Sequence, residues 1–377
     1  MSIIKTSMKS VVCTKTNPAM LTWARESLDI SAEKSAKRLS ITESAYKKLE
    51  DSSVSPTLAQ LRKLALLYRR PVAVFFLPTP PKDTRRPKDF RSHKDELSHK
   101  TLLSIRRARS IQKYYKLLTE VSRPAFWIKS DSPKDDAQNA RTWIDLSVER
   151  QVGFKDSQAL FNYLVEQLQK KHIQVVLHSY PKTDAKAYCF PEAPSMIVIS
   201  TNDEFVESRL FSLFHELCHL SAGDSGLCLV QESYHQHTKE RFCDRFATNA
   251  LMPEGLVRSL VGAKTADELL DSDVMNSIAS TIKCSKLALL YRFQELGFIS
   301  ASNVASKKAE WAKYLLRTKR FGKPNRIAKT LRENGIPFTS AVIDAYFNNR
   351  ISTSDASRML GVNQAYIEQV GDMVGQR

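Results

Sequence analysis

His215 and His219 stand four residues apart, with Glu216 directly after the first, inside the apolar run FHELCHL at Phe214–Leu220. On an α-helix, residues four apart lie one turn above each other, so the two imidazoles aim at a common point. That separation suits two nitrogen ligands of a zinc ion at about 2.1 Å. Glu216 sits about 100° round the helix from His215, placed to reach a water on the metal rather than the metal itself. A single histidine on an apolar stripe reads most simply as a satisfied core residue. Two on one stripe beside a carboxylate are costly to bury without a partner, and Leu210, Phe211, Phe214 and Leu217 bury this helix.

A catalytic zinc needs a third protein ligand and an open position. Downstream, KERFCDRFATNALMP at Lys239–Pro253 carries Phe242, Cys243, Phe246, Ala247, Ala250 and Leu251 at the spacing of a buried helix face. Glu240 and Asp244 share another stripe of that helix, four apart. Glu240 is assigned as the third ligand, and Asp244 as the acceptor that holds one zinc histidine by its other ring nitrogen. His235 and His237 are rival ligands, disfavoured because the polar loop QESYHQHTK fixes geometry less well. Bound zinc would lower the pKa of a water from about 15.7 toward 7, and Glu216 would take its proton and could pass it to a leaving amine. Tyr234 and His235 are candidates for stabilising the oxyanion by position alone.

The elements that must hold these residues read as an α+β, mostly helical arrangement. SQALFNYLVEQLQKK is an amphipathic helix. IQVVLHS and SMIVIS are β-rich runs bounded by turn residues, with AYCF a third strand between them. The metal helix should begin near Glu204, capped by Asn202 or Asp203, and close at Gly223. SMIVIS, just before that helix, is the expected place for an extended substrate to add as a β-strand.

Before this region, about Asn17 to Pro80 is helical with short connections. Ser31 and Thr42 are expected N-caps of two short helices joined by a tight turn at SIT, a helix-turn-helix whose second member can lie in a major groove. Thr42, Ser44, Tyr46 and Lys47 are the candidate nucleic-acid contacts, with Ala45 and Lys48 beside them. Any small helical bundle shows similar spacing. PTPPKDTRRPKDFRSHKDELSHK reads as a stiff, proline-rich linker. TLLSIRRARSIQKYYKLLTEV after it is a long basic helix, whose Arg106, Arg107, Arg109, Lys113 and Lys116 suit phosphates, an acidic protein surface or plain solvent. The C-terminal part is again helical and basic, with helix-turn-helix-like segments turning at KCSK and at Gly361.

The bulk composition sets outer limits. A chain of 377 residues suggests two or three domains. A net charge of +17 and a pI near 9.5 favour a polyanionic partner, nucleic acid first, or serve solubility alone. Six scattered cysteines without a CxxC pair read as reduced thiols. No apolar stretch approaches the roughly 20 residues of a membrane span and no signal peptide opens the chain, so a cytoplasmic location without membrane association is expected.

Taken together, RLFSLFHELCHLSAGDSG and KERFCDRFATNALMP resemble the ImmA/IrrE family of metallopeptidases, whose pattern joins His-Glu-x-x-His to a later acid-containing helix ending in Leu-Met-Pro. NPAMLTWARESLDIS through KDFR is similar to the Xre-type helix-turn-helix that often precedes such a domain. The resemblance implies that His215, His219 and Glu240 bind zinc and that Glu216 is the base. It implies an Xre-type domain over 1–80, a linker over 81–100, a zincin-like peptidase domain over 101–260 and a helical region over 261–377. It further implies cleavage of a regulatory protein, a transcriptional repressor or antitoxin, with double-stranded DNA as a possible second partner; oligomeric state stays open. Departures are Cys218, where the family usually has a small residue, Cys243-Asp244 in place of Ala-Asn, and Ser40 at a turn position where glycine is common. The competing reading is a DNA-binding regulator with a structural or vestigial zinc site.

Overall fold

Three short apolar runs pair into one sheet: β1 (Gln174–His178), β2 (Ala187–Phe190) and β3 (Met196–Ser200). Every position in them is buried, which is why valine and isoleucine occupy both faces rather than alternating with polar residues. The order is β1-β3-β2, with Val176 opposite Val198 in the parallel pair and Tyr188 opposite Val198 in the antiparallel one. β3 is therefore the central strand. Both its edges are paired, so the SMIVIS run cannot accept a substrate strand, contrary to the expectation from sequence.

The computed structural model describes residues 12–81, 97–126, 130–223, 238–312 and 325–375. The chain is mostly helical around its small sheet and divides into two units, Met1–Arg86 with His93–Arg106, and Pro87–Ser92 with Arg107–Arg377. Among the described residues, no helix is long and apolar enough to cross a membrane.

The first unit holds α1 (Pro18–Glu26), α2 (Ala32–Leu39), α3 (Glu43–Glu50) and α4 (Leu58–Tyr68). Ser31 and Thr42 cap α2 and α3, each accepting from the backbone N–H three residues on. Ser40 between them adopts a left-handed φ of 61°, the conformation glycine takes most readily. Leu21, Leu28, Leu39, Leu49, Leu61 and Phe75 form the apolar core. Tyr46, expected to face a groove, is fully buried in it, and its hydroxyl lies 2.6 Å from that of Tyr68 and 2.7 Å from Glu50. Its side chain offers nothing to a base. Helical spacing put Tyr46 beside the exposed Ser44 and Lys47 in sequence, but it belongs to the inward stripe with Leu49.

The long basic helix is α5 (His99–Leu118), which belongs to the first unit through Arg106 and to the second from Arg107. Its arginines are largely spent within the protein. Arg106 donates to the carbonyls of Tyr68 and Arg69 at 3.0 and 3.1 Å. Arg107 donates to Asn334 and to the carbonyl of Met359. Arg109 lies 3.8 Å over the Phe190 ring and pairs with Glu192 at 3.0 Å. Of the five cations read from this helix, Lys113 and Lys116 are the exposed ones.

In the second unit α6 (Pro133–Trp143), α7 (Val148–Gly153) and α8 (Ser157–Lys170) precede the sheet, and α9 (Val206–Ala222) and α10 (Thr238–Leu251) follow it. Then come α11 (Glu254–Val261), α12 (Ala266–Leu270), α13 (Ser272–Ile282), α14 (Lys286–Glu295) and α15 (Ala301–Ala312). One apolar core runs from Ala137 to Val304, so α11 to α15 share it with the His-bearing helix. The chain continues through α16 (Arg326–Asn334), α17 (Ile336–Phe347), α18 (Thr353–Leu360) and α19 (Ile367–Gly375), with the turn at Gly361 as expected. The α16–α17 corner lies against β1: the carbonyl of Glu333 is 2.8 Å from Nε2 of His178, and a Cβ on Gly335, at φ 77°, would sit 2.6 Å from Oε1 of Gln174.

Candidate metal centre

α9 carries the His-Glu-x-x-His run, and its two ends are set differently from each other. It begins at Val206 with Phe205 in the capping position and no side-chain cap, two residues later than sequence suggests. Asp203 is buried instead of capping, and Arg209 from the first turn reaches back to its carbonyl at 2.8 Å. The far end closes at Gly223 as expected, with φ 74°. Arg123 donates to the carbonyl of Leu220 at 3.2 Å, and its guanidinium passes 3.0 Å from where a Cβ on Gly223 would sit.

α10 lies alongside, anchored where sequence gave no hint. Arg141 of α6, 2% exposed, donates to Gln151 of α7 at 2.5 Å and to the carbonyl of Ala250 at 2.8 Å. Gln151 in turn donates to the carbonyls of Leu251 and Ile282, each at 2.8 Å. These two buried side chains satisfy carbonyls at the end of α10 that lack helical partners. NARTW and ERQVG look like solvent-facing helix surface, and their polar residues show no apolar periodicity to mark them as internal.

Between the two helices the three candidate ligands converge. Nε2 of His215 and Nε2 of His219 are 3.1 Å apart. Oε2 of Glu240 is 3.3 Å from the first, and Oε1 is 3.5 Å from the second. Donors placed tetrahedrally about 2.1 Å from a central ion are separated by about 3.4 Å, and the three separations, two of which end on different oxygens of Glu240, are of that size, with one ligand atom from each residue within 4.8 Å of the others. Among the described residues this is the one group of three or more His, Cys, Asp and Glu side chains close enough to hold a metal. Asp244 joins it from outside, with Oδ1 2.9 Å from Nδ1 of His215. An Nδ1–H donated to Asp244 leaves the Nε2 lone pair facing the triangle. Glu216, 1% exposed, lies close enough for its charge to act on both imidazoles.

The electrostatics agree with a cation site. Burial disfavours the charged form of His215, but hydrogen bonds to Asp244 and Glu240 and the field of Glu216 outweigh it and raise the pKa above the ordinary histidine value. His219 is raised too, against its own burial, by Glu240 and Glu216. Burial pushes Glu240 up, while its hydrogen bonds to the two imidazoles pull it further down, below the usual carboxylate range. Three carboxylates thus draw positive charge onto two buried rings, and a divalent cation answers the same field.

The remaining candidates fall elsewhere. His235, His237 and Tyr234 lie outside the described residues. Thr42 is engaged as a helix cap at 3.2 Å from the Ala45 N–H, and Lys47 is exposed with its ammonium 2.7 Å from Glu43. Ser44 is exposed. Cys218 and Cys243 are buried, and no disulfide links any cysteine among the described residues.

Comparison with known families gives one match. Residues 168–294, which span β1 to α14 and include every residue of the triangle, match the family model described as the IrrE N-terminal-like domain, a peptidase family. This supports a metallopeptidase-type domain of the ImmA/IrrE kind in the centre of the chain. Comparisons with curated proteins and with solved structures returned no match.

Proposed function

We propose that the chain is a zinc-dependent endopeptidase in which His215, His219 and Glu240 hold one zinc ion and Glu216 is the general base. The observation that carries this reading is the convergence of two imidazole nitrogens 3.1 Å apart with the Glu240 carboxylate, whose oxygens lie 3.3 Å from one and 3.5 Å from the other, inside the span that matches a peptidase family. A zinc ion bound there supplies Lewis acidity toward a peptide carbonyl and toward water. The chain's own residues do the rest. Glu216 accepts the proton of the attacking water and returns it to the leaving amine. Asp244 fixes the ring of His215 in the tautomer that keeps Nε2 available. Glu240, whose side chain is 27% exposed, closes the triangle on its solvent side.

The rival reading, a regulator with a structural zinc, calls for a closed site of four protein ligands. Glu216, buried directly after His215, favours the catalytic reading, since a closed structural site has no use for a carboxylate beside its first ligand. The substrate proposed from the family resemblance is a regulatory protein of the cytoplasm, a transcriptional repressor or an antitoxin. The first unit would bring the enzyme to that protein or to double-stranded DNA. Ser44 and Lys47, exposed on α3, are the groups that suit a nucleic-acid contact, with Thr42 positioning the helix.

The test compares the proteomes of cells carrying the wild-type chain and Glu216→Gln. A regulatory protein that persists as a longer form only in the variant identifies the substrate. Identical proteomes, with zinc bound in both chains, would favour the regulator.

A further inference from the structure

Charge is unevenly placed in the first unit. α3 sets Glu43 and Glu50 against Lys47 and Lys48, so the helix that would enter a groove has no net charge, and Lys47 is held by Glu43 at 2.7 Å. Thr57–Arg70, which holds α4 and its caps, carries Arg62, Lys63, Arg69 and Arg70 and no acid. His99–Arg106, the part of α5 in this unit, adds Lys100 and Arg106, again with no acid.

Folding turns that composition into a face. Leu61, Leu64, Ala65 and Tyr68 take the inner side of α4. Arg62, Lys63, Leu66 and Arg69 are exposed, and by helical period Arg62, Leu66 and Arg69 fall within about 60° of one another. At the end of α4, Arg106 donates to the carbonyls of Tyr68 and Arg69 at 3.0 and 3.1 Å, which ties α5 to this row. His99 marks the meeting point: burial holds it below the ordinary histidine value, and the fields of Lys34 from α2, Arg106 and Arg69 push it the same way. Cations from three helices therefore surround one place. Among the described residues no acid pairs with Lys34, Arg62, Lys63 or Arg69, all of them exposed. Like charges gathered without counter-charges raise the local potential, and a polyanion relieves it.

We infer that this face, built from Lys34, Arg62, Lys63 and Arg69, grips the phosphate backbone of a duplex nucleic acid. The inference rests on the nucleic-acid reading of the first unit and moves the main contact from α3 to α4. Its consequence is affinity without sequence preference, since phosphates carry charge but no base identity. Lys34, in the first turn of α2, suits the strand that the first helix of a helix-turn-helix crosses.

The test titrates the full chain with a labelled DNA duplex of mixed sequence, followed by fluorescence anisotropy from about 50 to 200 mM salt, with poly-glutamate as a second probe. Four phosphate contacts predict that log K falls against log salt with a slope of about −3.6 in the wild type. The double variant Arg62→Gln, Lys63→Gln should bring the slope to about −1.8 and weaken binding about ten-fold or more at the low end of the range. Arg69→Asn, a residue type that accepts the left-handed backbone at φ 50°, should bring it to about −2.7 and serves if the double variant fails to fold. Lys170→Gln, an exposed charge on α8 in the second unit, should leave the slope as it was. A slope unchanged in the folded α4 variants, or lowered as much by Lys170→Gln, would overturn the face and return the contact to α3. Tight binding of poly-glutamate without binding of the duplex would overturn it in favour of an acidic protein. No duplex binding by the folded wild type would remove the nucleic-acid reading of the first unit, and the face with it, leaving the endopeptidase reading untouched.

Discussion

Oδ1 of Asp244 lies 2.9 Å from Nδ1 of His215, on the side of the ring opposite the nitrogen that faces Glu240 and His219. This carboxylate, 59% accessible, is proposed to fix the tautomer of a ring that is 9% accessible. Asp244→Ala should weaken zinc binding about 10- to 100-fold, the usual cost of losing such a partner, while leaving the fold intact. Competition with a chromophoric chelator measures this. Unchanged affinity would mean that packing alone orients the ring.

Glu216→Gln separates binding from chemistry. The carboxylate is buried beside the imidazoles, and its amide isostere keeps the shape while removing the base. Zinc content should stay at the wild-type level, and cleavage of the identified substrate should fall about 10²- to 10⁴-fold, the range for a positioned general base. Full activity in the variant would displace Glu216 from its assigned role.

The metal-free chain should respond to pH in one direction. His215 and His219 have pKa values raised in the folded state, so between the ordinary histidine value of 6.5 and the raised ones the folded chain holds protons that the unfolded chain has released. That contribution to stability is complete below pH 6.5 and is lost as pH rises through the raised values. Zinc binding requires the same rings deprotonated, so its stabilising effect should grow over the same interval. Thermal melts of chelated and zinc-loaded chain from pH 6.5 upward check both trends. A metal-free melting temperature that climbs through this window would contradict the assignment.

Tyr46 distinguishes a core residue from a DNA contact. Its hydroxyl is bonded to Tyr68 and Glu50 in the interior of the first unit. Tyr46→Phe should therefore destabilise that unit by about 0.5–1.5 kcal/mol, since buried hydrogen bonds are lost while Tyr68 keeps Ser35 and Glu50 keeps Arg25 as partners. Denaturant unfolding reads this directly. An unchanged midpoint with weakened binding to DNA would restore the surface role.

How far the sequence could be read depended on which physics each region uses. The His-bearing helix, its closing glycine and the approach of Glu240 on α10 to both imidazoles were legible because helical period fixes which side chains share a face, and because histidine and glutamate in an apolar setting need a partner. The strands were legible as apolar runs, but their order was not. Sheet order depends on long-range pairing, and β3 turned out to be flanked on both sides. Tyr46 went wrong because an amphipathic residue satisfies either the inward or the outward stripe until its hydroxyl partners are known. Arg107, Arg141 and Gln151 were invisible for a related reason: their partners are backbone carbonyls of Met359, Ala250 and Leu251, groups every residue possesses. The departure of α9 from its expected cap has the same origin, since Asp203 faces inward and its loop is held by Arg209.

The most direct measurement is the zinc content of purified, metal-replenished chain after removal of loosely bound ions, made on the wild type, Glu240→Ala and Glu216→Gln. The account expects one zinc per chain in the wild type and in Glu216→Gln, and little or none in Glu240→Ala. Equal zinc in Glu240→Ala and wild type, or none in a folded wild type, would contradict it.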